Sequence, residues 1–315
     1  MEQQKIKVAV VGAGGMAREH LRAFDAMDEV SVRGIYSRTR QRAEALAAEF
    51  HIPSVCASVE ALYVQTQADL VIIAVSELAL HGLCTEAFKY PWTCLLEKPA
   101  GYNLRDAEAI AAEARMAERV AFVGLNRRHY ASTRAVLTDL GRSEAPRLIQ
   151  VYDQEDPAPR LRDRPAEVVR NWMYANSIHV IDYLTIFGRG EIRAVTPVVK
   201  WNPSEPRFVA AKIEYSSGDI GLYTAVWNGP GPWSASVTTQ QRRWELRPLE
   251  QGVVQVHGSR KLEPLPADRW DTDFKPGLRR QAEEAVRAVL GLSHSLPTLD
   301  EGLKSVKLVH AIYGA

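Results

Sequence analysis

A chain of 315 residues with 39 Lys+Arg against 38 Asp+Glu carries a net charge of +1, which excludes the charge excess that grips nucleic acid or an anionic membrane surface. The length favours two domains over one and permits a substantial core. Three cysteines, Cys56, Cys84 and Cys94, are odd in number and lack metal-ligand spacing, so a disulfide framework is not expected and a reducing cytosol fits best.

The opening "MEQQKIKVAVVGAGG" has no basic segment followed by an apolar stretch and a cleavage site, so it does not read as a signal peptide. The most apolar internal run, "LVIIAV" (70–75), is too short to cross a bilayer and suits a buried strand. A soluble, cytoplasmic protein is expected.

Through residue 125 two periodicities alternate. "KIKVAVV" (5–11), "VSVRGIY" (30–36), "DLVIIAV" (69–75), "TCLLE" (93–97) and "VAFVG" (120–124) are short, apolar and β-branched. Between them lie helical stretches such as "MAREHLRAFDAM", "RQRAEALAAEF" and "LRDAEAIAAEARMAE". Repeated strand–helix–strand units, with strands apolar on both faces, predict an α/β domain over 1–125 built on a doubly wound parallel sheet.

The pattern changes at Asn126. A helix is expected through "STRAVLTDLG" and a strand at "RLIQVYD" (147–153). The Pro- and Arg-rich loop "DPAPRLRDRP" then leads into one long helix ending at "TIFGRG". Next come the strand-like runs "IRAVTPVVK", "FVAAKIEYSSG", "DIGLYTAVW", "SASVTTQ", "RWELRPL" and "VVQVHG", two of them joined by the hairpin signal Ser217-Gly218-Asp219. Helices at about 274–291 and 299–313 close the chain. Consecutive strands of this kind predict a second, α+β domain over 126–315 with an antiparallel or mixed sheet.

"VAVVGAGGMA" sets Gly12-x-Gly14-x-x-Ala17, with Gly15 and Met16 inside it, directly after a strand and at the start of a helix. Gly12 permits the tight turn, Gly14 lets the backbone approach a pyrophosphate, and Ala17 allows close helix–sheet packing. The helix N-terminus offers N–H groups and a positive dipole end to the phosphates. Dinucleotide binding is therefore expected. The second strand ends in "IYSRTRQR", where an acid would favour the ribose 2′-OH of NAD(H). Ser37 and Arg38 suit a 2′-phosphate instead, so NADP(H) is preferred and NAD(H) is the alternative. Arg40 and Arg42 also fit a solvated helix face.

At "LLEKPAGYN" (95–103) the chain resembles the glucose–fructose oxidoreductase / inositol 2-dehydrogenase / MocA (Gfo/Idh/MocA) family. The resemblance extends to His81 in "ELALHGLCTEAF", to "VGLNRRHY" (123–130), to the helix ending "IHVIDYLTIFG" and to the closing "PTLDEGLKSVKLVHAIY". It implies an N-terminal Rossmann domain, a C-terminal domain with a large, mostly antiparallel open sheet, and assembly as a homo-dimer or homo-tetramer. It also implies hydride transfer at a hydroxyl or keto carbon of a sugar, cyclitol or sugar nucleotide. On the residue match, Glu97 and Lys98 lie beside the nicotinamide, Lys98 hydrogen-bonds the reacting oxygen, and the bond before Pro99 is cis. His179 is the family's usual acid/base, an imidazole being suited to passing a proton either way, with Lys98 the alternative where the carboxylate before the histidine is missing.

Two departures stand out. Ala175 occupies the position of the carboxylate that family members carry four residues before the histidine, leaving Asn176 and Asp182 as its polar neighbours. Val75-Ser76 replaces a Thr-Pro pair at the nicotinamide contacts. Asn126, Arg128, Tyr152, Trp172 and Asn176 are candidate substrate contacts, with Asp153 and Tyr174 beside them; Arg128 fits a structural ion pair equally well. Trp227 and Trp233, around a Gly-Pro turn, read either as sugar platforms or as core aromatics. No metal is expected. Two other functions fit the same residues: a non-catalytic dinucleotide sensor, and a redox-assisted glycoside-cleaving enzyme with bound cofactor.

Overall fold

The computed structural model describes residues 5–157 and 164–314; residues 158–163, in the middle of the Pro- and Arg-rich loop, lie outside them. The chain divides into two units, Met1–Asn126 with Trp270–Leu303, and Arg127–Arg269 with Lys304–Ala315. The expected division at 125/126 falls one residue from the first crossover, whereas the return of 270–303 to the first unit has no counterpart in a linear division.

In the first unit six strands pair: β1 (Ile6–Val11), β2 (Val30–Tyr36), β3 (Ser54–Cys56), β4 (Leu70–Ile73), β5 (Thr93–Glu97) and β6 (Ala121–Gly124). Their order is β3-β2-β1-β4-β5-β6 and every pairing is parallel. The order reverses between β1 and β4, the switch point at whose strand ends doubly wound sheets bind ligands. Alternate side chains feed two cores. Val8, Val10, Leu70 and Ile72 face helices α1 (Gly15–Asp25) and α2 (Arg40–Glu49), while Ala9, Val11, Val71 and Ile73 face α3 (Val59–Thr66), α4 (Glu77–Ala87) and α5 (Leu104–Met116).

Side-chain caps start two of these helices: Ser58 Oγ accepts the Ala61 N–H and Asn103 Oδ1 that of Asp106. Leu21 and Phe24 of α1 are fully buried, each contributing about 2 kcal/mol of transfer free energy.

The second unit opens with a short 3₁₀ turn at Asn126–His129, then α6 (Ala131–Leu140) and β7 (Leu148–Glu155). Further strands are β8 (Ile192–Val199), β9 (Phe208–Tyr215), β10 (Ile220–Trp227), β11 (Ser234–Thr238), β12 (Arg242–Leu246), β13 (Gly252–Val256) and β14 (Glu263–Pro264). They form one eight-stranded sheet, β14-β13-β12-β11-β7-β10-β9-β8, antiparallel throughout except at β7–β10. The expected hairpin joins β9 to β10, with Gly218 at φ +85°.

The long helix expected before "TIFGRG" is not continuous. It is split into α7 (Ala166–Arg170), a π turn at Met173–Ser177, and α8 (Ile178–Phe187), which packs on β7 and β11. The N–H of Ile178 reaches back five residues to the Met173 carbonyl. The physical reason is a single buried carboxylate, Glu155, which takes hydrogen bonds from Trp172, Asn176 and Ser177 together. In an α-helix residues 176 and 177 diverge by about 100°; the wider turn narrows that angle. Such π insertions are frequent at functional sites.

The chain closes with α9 (Trp270–Asp273), α10 (Leu278–Val289) and α11 (Leu299–Tyr313). α10 lays Leu278, Ala282, Ala285 and Val286 into the core shared by α1 and α2.

Candidate functional site

The glycine turn is built for close approach. Gly12 has φ +118°, and a Cβ there would lie 2.0 Å from the Ala74 carbonyl oxygen, so only glycine fits. Its N–H is held by the Tyr36 carbonyl at 2.7 Å, tying the turn to the end of β2. At Gly14 and Gly15 the space is open: an added Cβ would meet nothing within 4 Å. α1 starts there with no side-chain cap and no acid in its first turn. Ala17 is fully buried against the sheet, and Met16 Sδ accepts from Lys275 Nζ. Residues 12–17 thus form an anion-ready helix N-terminus that fits a pyrophosphate.

At the end of β2, Ser37 is half-buried and Arg38 exposed. Ser37 Oγ accepts the Thr39 N–H at 3.3 Å. Arg40 is spent on its own helix, bonding Glu44 at 2.8 Å. Val75 follows β4 against the Gly12 turn, its Cγ1 being 3.2 Å from where a Cβ at Gly12 would stand.

Glu97 ends β5 buried, and His20 of α1 meets its Oε1 through Nε2 at 2.7 Å. That bond fastens the first turn's helix to the Glu97-Lys98-Pro99 segment. Lys98 is half-buried and the Lys98–Pro99 bond is cis. Past it, Gly101 at φ +116° turns the chain into α5, and Asp106 accepts the Tyr102 N–H at 3.1 Å. Asp106 also meets His81 Nδ1 at 2.7 Å, and Glu113 meets its Nε2 at 2.9 Å. Burial disfavours the His81 cation, but the hydrogen bonds and charges of Glu113 and Asp106 outweigh it and raise its pKa. Asn126, a candidate substrate contact, is buried with its Nδ2 donating to the Pro276 carbonyl at 2.9 Å.

In the second unit His179 lies on α8, 8% exposed. Trp233 stands 6.0 Å away, centroid to centroid, with the Arg127 guanidinium 4.6 Å over its ring. The Trp233 indole is oriented by its N–H bond to the Gln154 carbonyl. Trp227, by contrast, is buried, its ring centroid 4.4 Å from that of Trp201 with the planes tilted by 44°, and bonded to Tyr313. It belongs to the core.

Arg128 forms a two-toothed pair with Asp182, through Nε at 2.8 Å and Nη2 at 2.7 Å, and Asp182 also accepts from Ser305 at 2.6 Å. Both residues flanking the histidine helix are thereby spent on each other. Tyr152 is half-buried beside Gly231. Trp172 is only 5% exposed, its N–H donated to Glu155, and the Tyr174 hydroxyl meets His310 Nδ1 at 3.2 Å. Asn176 is half-exposed.

Sequence reasoning missed Glu155, although the strand carried the signal. Ile149, Val151, Asp153 and Glu155 share one buried face of β7, so two acids continue an apolar period-two stripe. Burial and then the Asp153 charge push the Glu155 carboxyl up to about 8. Asp153, fully buried and bonded by the Tyr223 hydroxyl at 2.6 Å, is raised for the same first reason.

Residues 6–125 match the model of an oxidoreductase family, Gfo/Idh/MocA, described by its NAD-binding Rossmann fold. A Salmonella typhimurium protein provisionally named an oxidoreductase, YceM, is 23% identical over 281 residues, 86% of this chain and 84% of its own length. Among solved structures, UDP-N-acetylglucosamine 3-dehydrogenase of Acidithiobacillus ferrooxidans superposes with a TM-score of 0.81 at 20% identity, over 99% of this chain and 98% of that one. An oxidoreductase of Desulfitobacterium hafniense, provisionally described as NADPH-dependent, gives 0.81 at 18% identity over 98% and 94%. At these identities the likeness to the solved structures is one of fold. No helix among the described residues is long and apolar enough to cross a membrane.

Proposed function

We propose that the chain, whose residues 6–125 match the Gfo/Idh/MocA oxidoreductase model, is an NADP(H)-preferring enzyme of that family acting on a hydroxyl or keto carbon of a sugar, sugar nucleotide or related polyol. The observation that carries the proposal is the open cradle at Gly14 and Gly15, in front of an uncapped helix N-terminus at the switch point of the parallel sheet. Ser37 and Arg38, with no acid beside them at the end of β2, support the 2′-phosphate form of the cofactor.

When bound, the nicotinamide supplies or accepts the hydride. The protein's share is the proton. Lys98 donates to the reacting oxygen and lowers the cost of alkoxide character, and His179 takes or returns the hydroxyl proton. Trp233, with Arg127 over its ring and His179 beside it, suits a sugar: an apolar face for the ring and polar groups at its edge. The name of the Acidithiobacillus relative, a sugar-nucleotide 3-dehydrogenase, supports the same substrate class.

The enzyme is proposed to be cytoplasmic and a homo-dimer or homo-tetramer. Val198 and Val199 on the edge strand β8, and Phe208 on its neighbour β9, are exposed and support the oligomer.

The test follows the absorbance of the reduced nicotinamide while purified protein meets NADPH or NADP and a panel of ketosugars, sugars and sugar nucleotides. Turnover with at least one is expected. Tight NADPH binding without turnover on the panel overturns the enzyme and leaves the dinucleotide sensor.

A further inference from the structure

Glu155 sits at the end of β7, 1% exposed, and gathers the turn that precedes His179. Its Oε2 accepts from Trp172 Nε1 at 2.7 Å and from Asn176 Nδ2 at 2.8 Å. Its Oε1 accepts from the same Asn176 nitrogen at 3.0 Å and from Ser177 Oγ at 3.2 Å. A carboxylate in this setting has consequences for the amide it holds. It presents acceptors, so Asn176 must turn its NH₂ inward, and the amide oxygen is the atom left for a ligand at a half-exposed position.

Two residues back on the same face, Asp153 is fully buried. Tyr223 donates to its Oδ2, and Tyr223 meets the Tyr313 hydroxyl at 2.8 Å. The side chains of Ser177 and Glu155 and the Gln154 backbone N–H also surround the Asp153 carboxyl, and burial raises it above the ordinary carboxylate range. Two buried carboxyls on one strand face disfavour a second negative charge, and the Asp153 charge adds to burial in raising Glu155.

The other titratable groups around the pair are few. β10 brings Tyr223 and α11 brings Tyr313, with His310 engaged by Tyr174 of the π turn. α8 carries His179, Asp182 and Tyr183; Asp182 is held by Arg128 and Ser305, and Tyr183 by Thr133. β11 brings none.

We propose that Glu155 is a positioning residue that fixes Asn176 with its carbonyl oxygen toward substrate, one turn before His179, as the hydroxyl acceptor that Ala175 does not supply. The role rests on the hydride-transfer function proposed above. A buried acid on the strand thus takes over, through a neutral amide, the polar work absent from the helix. Because the amide oxygen only accepts, the site requires a donor hydroxyl beside the reacting carbon and discriminates against the deoxy analogue.

The experiment has a ligand-free arm and a kinetic arm. In ¹⁵N-Trp-labelled protein, with the indole resonance assigned by Trp172→Phe, the Trp172 N–H is expected to titrate in one step above neutrality and to lose that step in Glu155→Gln. An indole that ignores pH between about 5 and about 9, or titrates alike in both proteins, overturns the hold of Glu155 on the turn.

The kinetic arm uses NADPH with the ketosugar or sugar nucleotide that the wild type turns over. Glu155→Gln, and the milder Asn176→Ala, are expected to raise KM roughly tenfold while kcat falls less than about threefold. The double variant Glu155→Gln/Asn176→Asp exchanges donor for acceptor and keeps an oxygen facing outward; it is expected to recover KM to within about threefold. Failure of the double variant to recover, with its melting temperature intact, overturns the positioning role. A wild type inactive on the whole panel overturns the oxidoreductase and the substrate role of Asn176 together, while the indole titration reports the hold of Glu155 independently.

Discussion

Replacing Glu155 by Gln changes how stability depends on pH, and the sign follows from burial. The carboxyl's ordinary value of 4.5 is raised to about 8 in the folded chain by desolvation and then by Asp153. Below the ordinary value both folded and unfolded chains hold the proton, and the contribution to stability is fully present. As pH rises the unfolded chain releases it first, so stability falls until the folded group ionises near pH 8. The slope is about 1.4 kcal/mol per pH unit. Over the whole interval the loss reaches about 5 kcal/mol at most. Glutamine has no proton to release. Urea unfolding followed by tryptophan fluorescence at about pH 5 and about pH 8 should therefore show a wild type that loses this stability and a Glu155→Gln variant that loses much less. Parallel losses in the two proteins would refute a buried, protonated Glu155.

Ser37→Asp combined with Arg38→Ala should move preference from NADPH toward NADH, and an unchanged ratio of kcat/KM for the two cofactors would refute the 2′-phosphate assignment. Lys98→Ala should depress kcat by roughly a hundredfold or more while the Kd for NADPH, followed by fluorescence, changes little. His179→Asn tests the proton: a loss of kcat below roughly tenfold would make the histidine positional and leave the transfer to Lys98 or water. Asp182→Asn leaves the Arg128 guanidinium without its charge partner in a site where Asp182 is 3% exposed. It should cost about 3–5 kcal/mol in urea unfolding, against under about 1 kcal/mol for an exposed pair.

The first unit was legible because its strands are buried on both faces and its turn carries a backbone requirement that only glycine meets. β3 escaped notice because "SVC" is three residues long, too short for periodicity to register. The return of α10 to the first sheet was not legible for a different reason. Its apolar stripe announces a covered face, but a stripe does not say which sheet covers it. The eight-stranded sheet followed from consecutive alternating runs, while the parallel β7–β10 pairing joins strands 65 residues apart, Leu222 opposite Gln150 among them, through contacts no local pattern encodes.

Among the candidate contacts, residue type and position in the chain suggested access, and packing decided otherwise for several. Trp172 was placed toward the cleft by its position before the histidine helix, yet its indole N–H is consumed by a carboxylate 17 residues earlier. Asn126 is spent on a carbonyl of the 270–303 segment. The helix break at 173–177 belongs to the same class of event: propensity favours an unbroken helix there, and a tertiary hydrogen-bond demand outweighs it.

The relation between Ala175 and Glu155 also bears on which group carries charge near the histidine. A carboxylate on the helix itself, four residues before His179, would stabilise an imidazolium directly and raise its pKa. Glu155 on β7, held above the ordinary carboxylate range by burial and reached through the neutral amide of Asn176, delivers orientation with little of that charge. Asp182, the other acid on the helix, is neutralised by Arg128. The histidine helix is therefore rich in fixed hydrogen-bond geometry and poor in free negative charge. Under the function proposed above, the burden of stabilising negative charge on the reacting oxygen falls to Lys98.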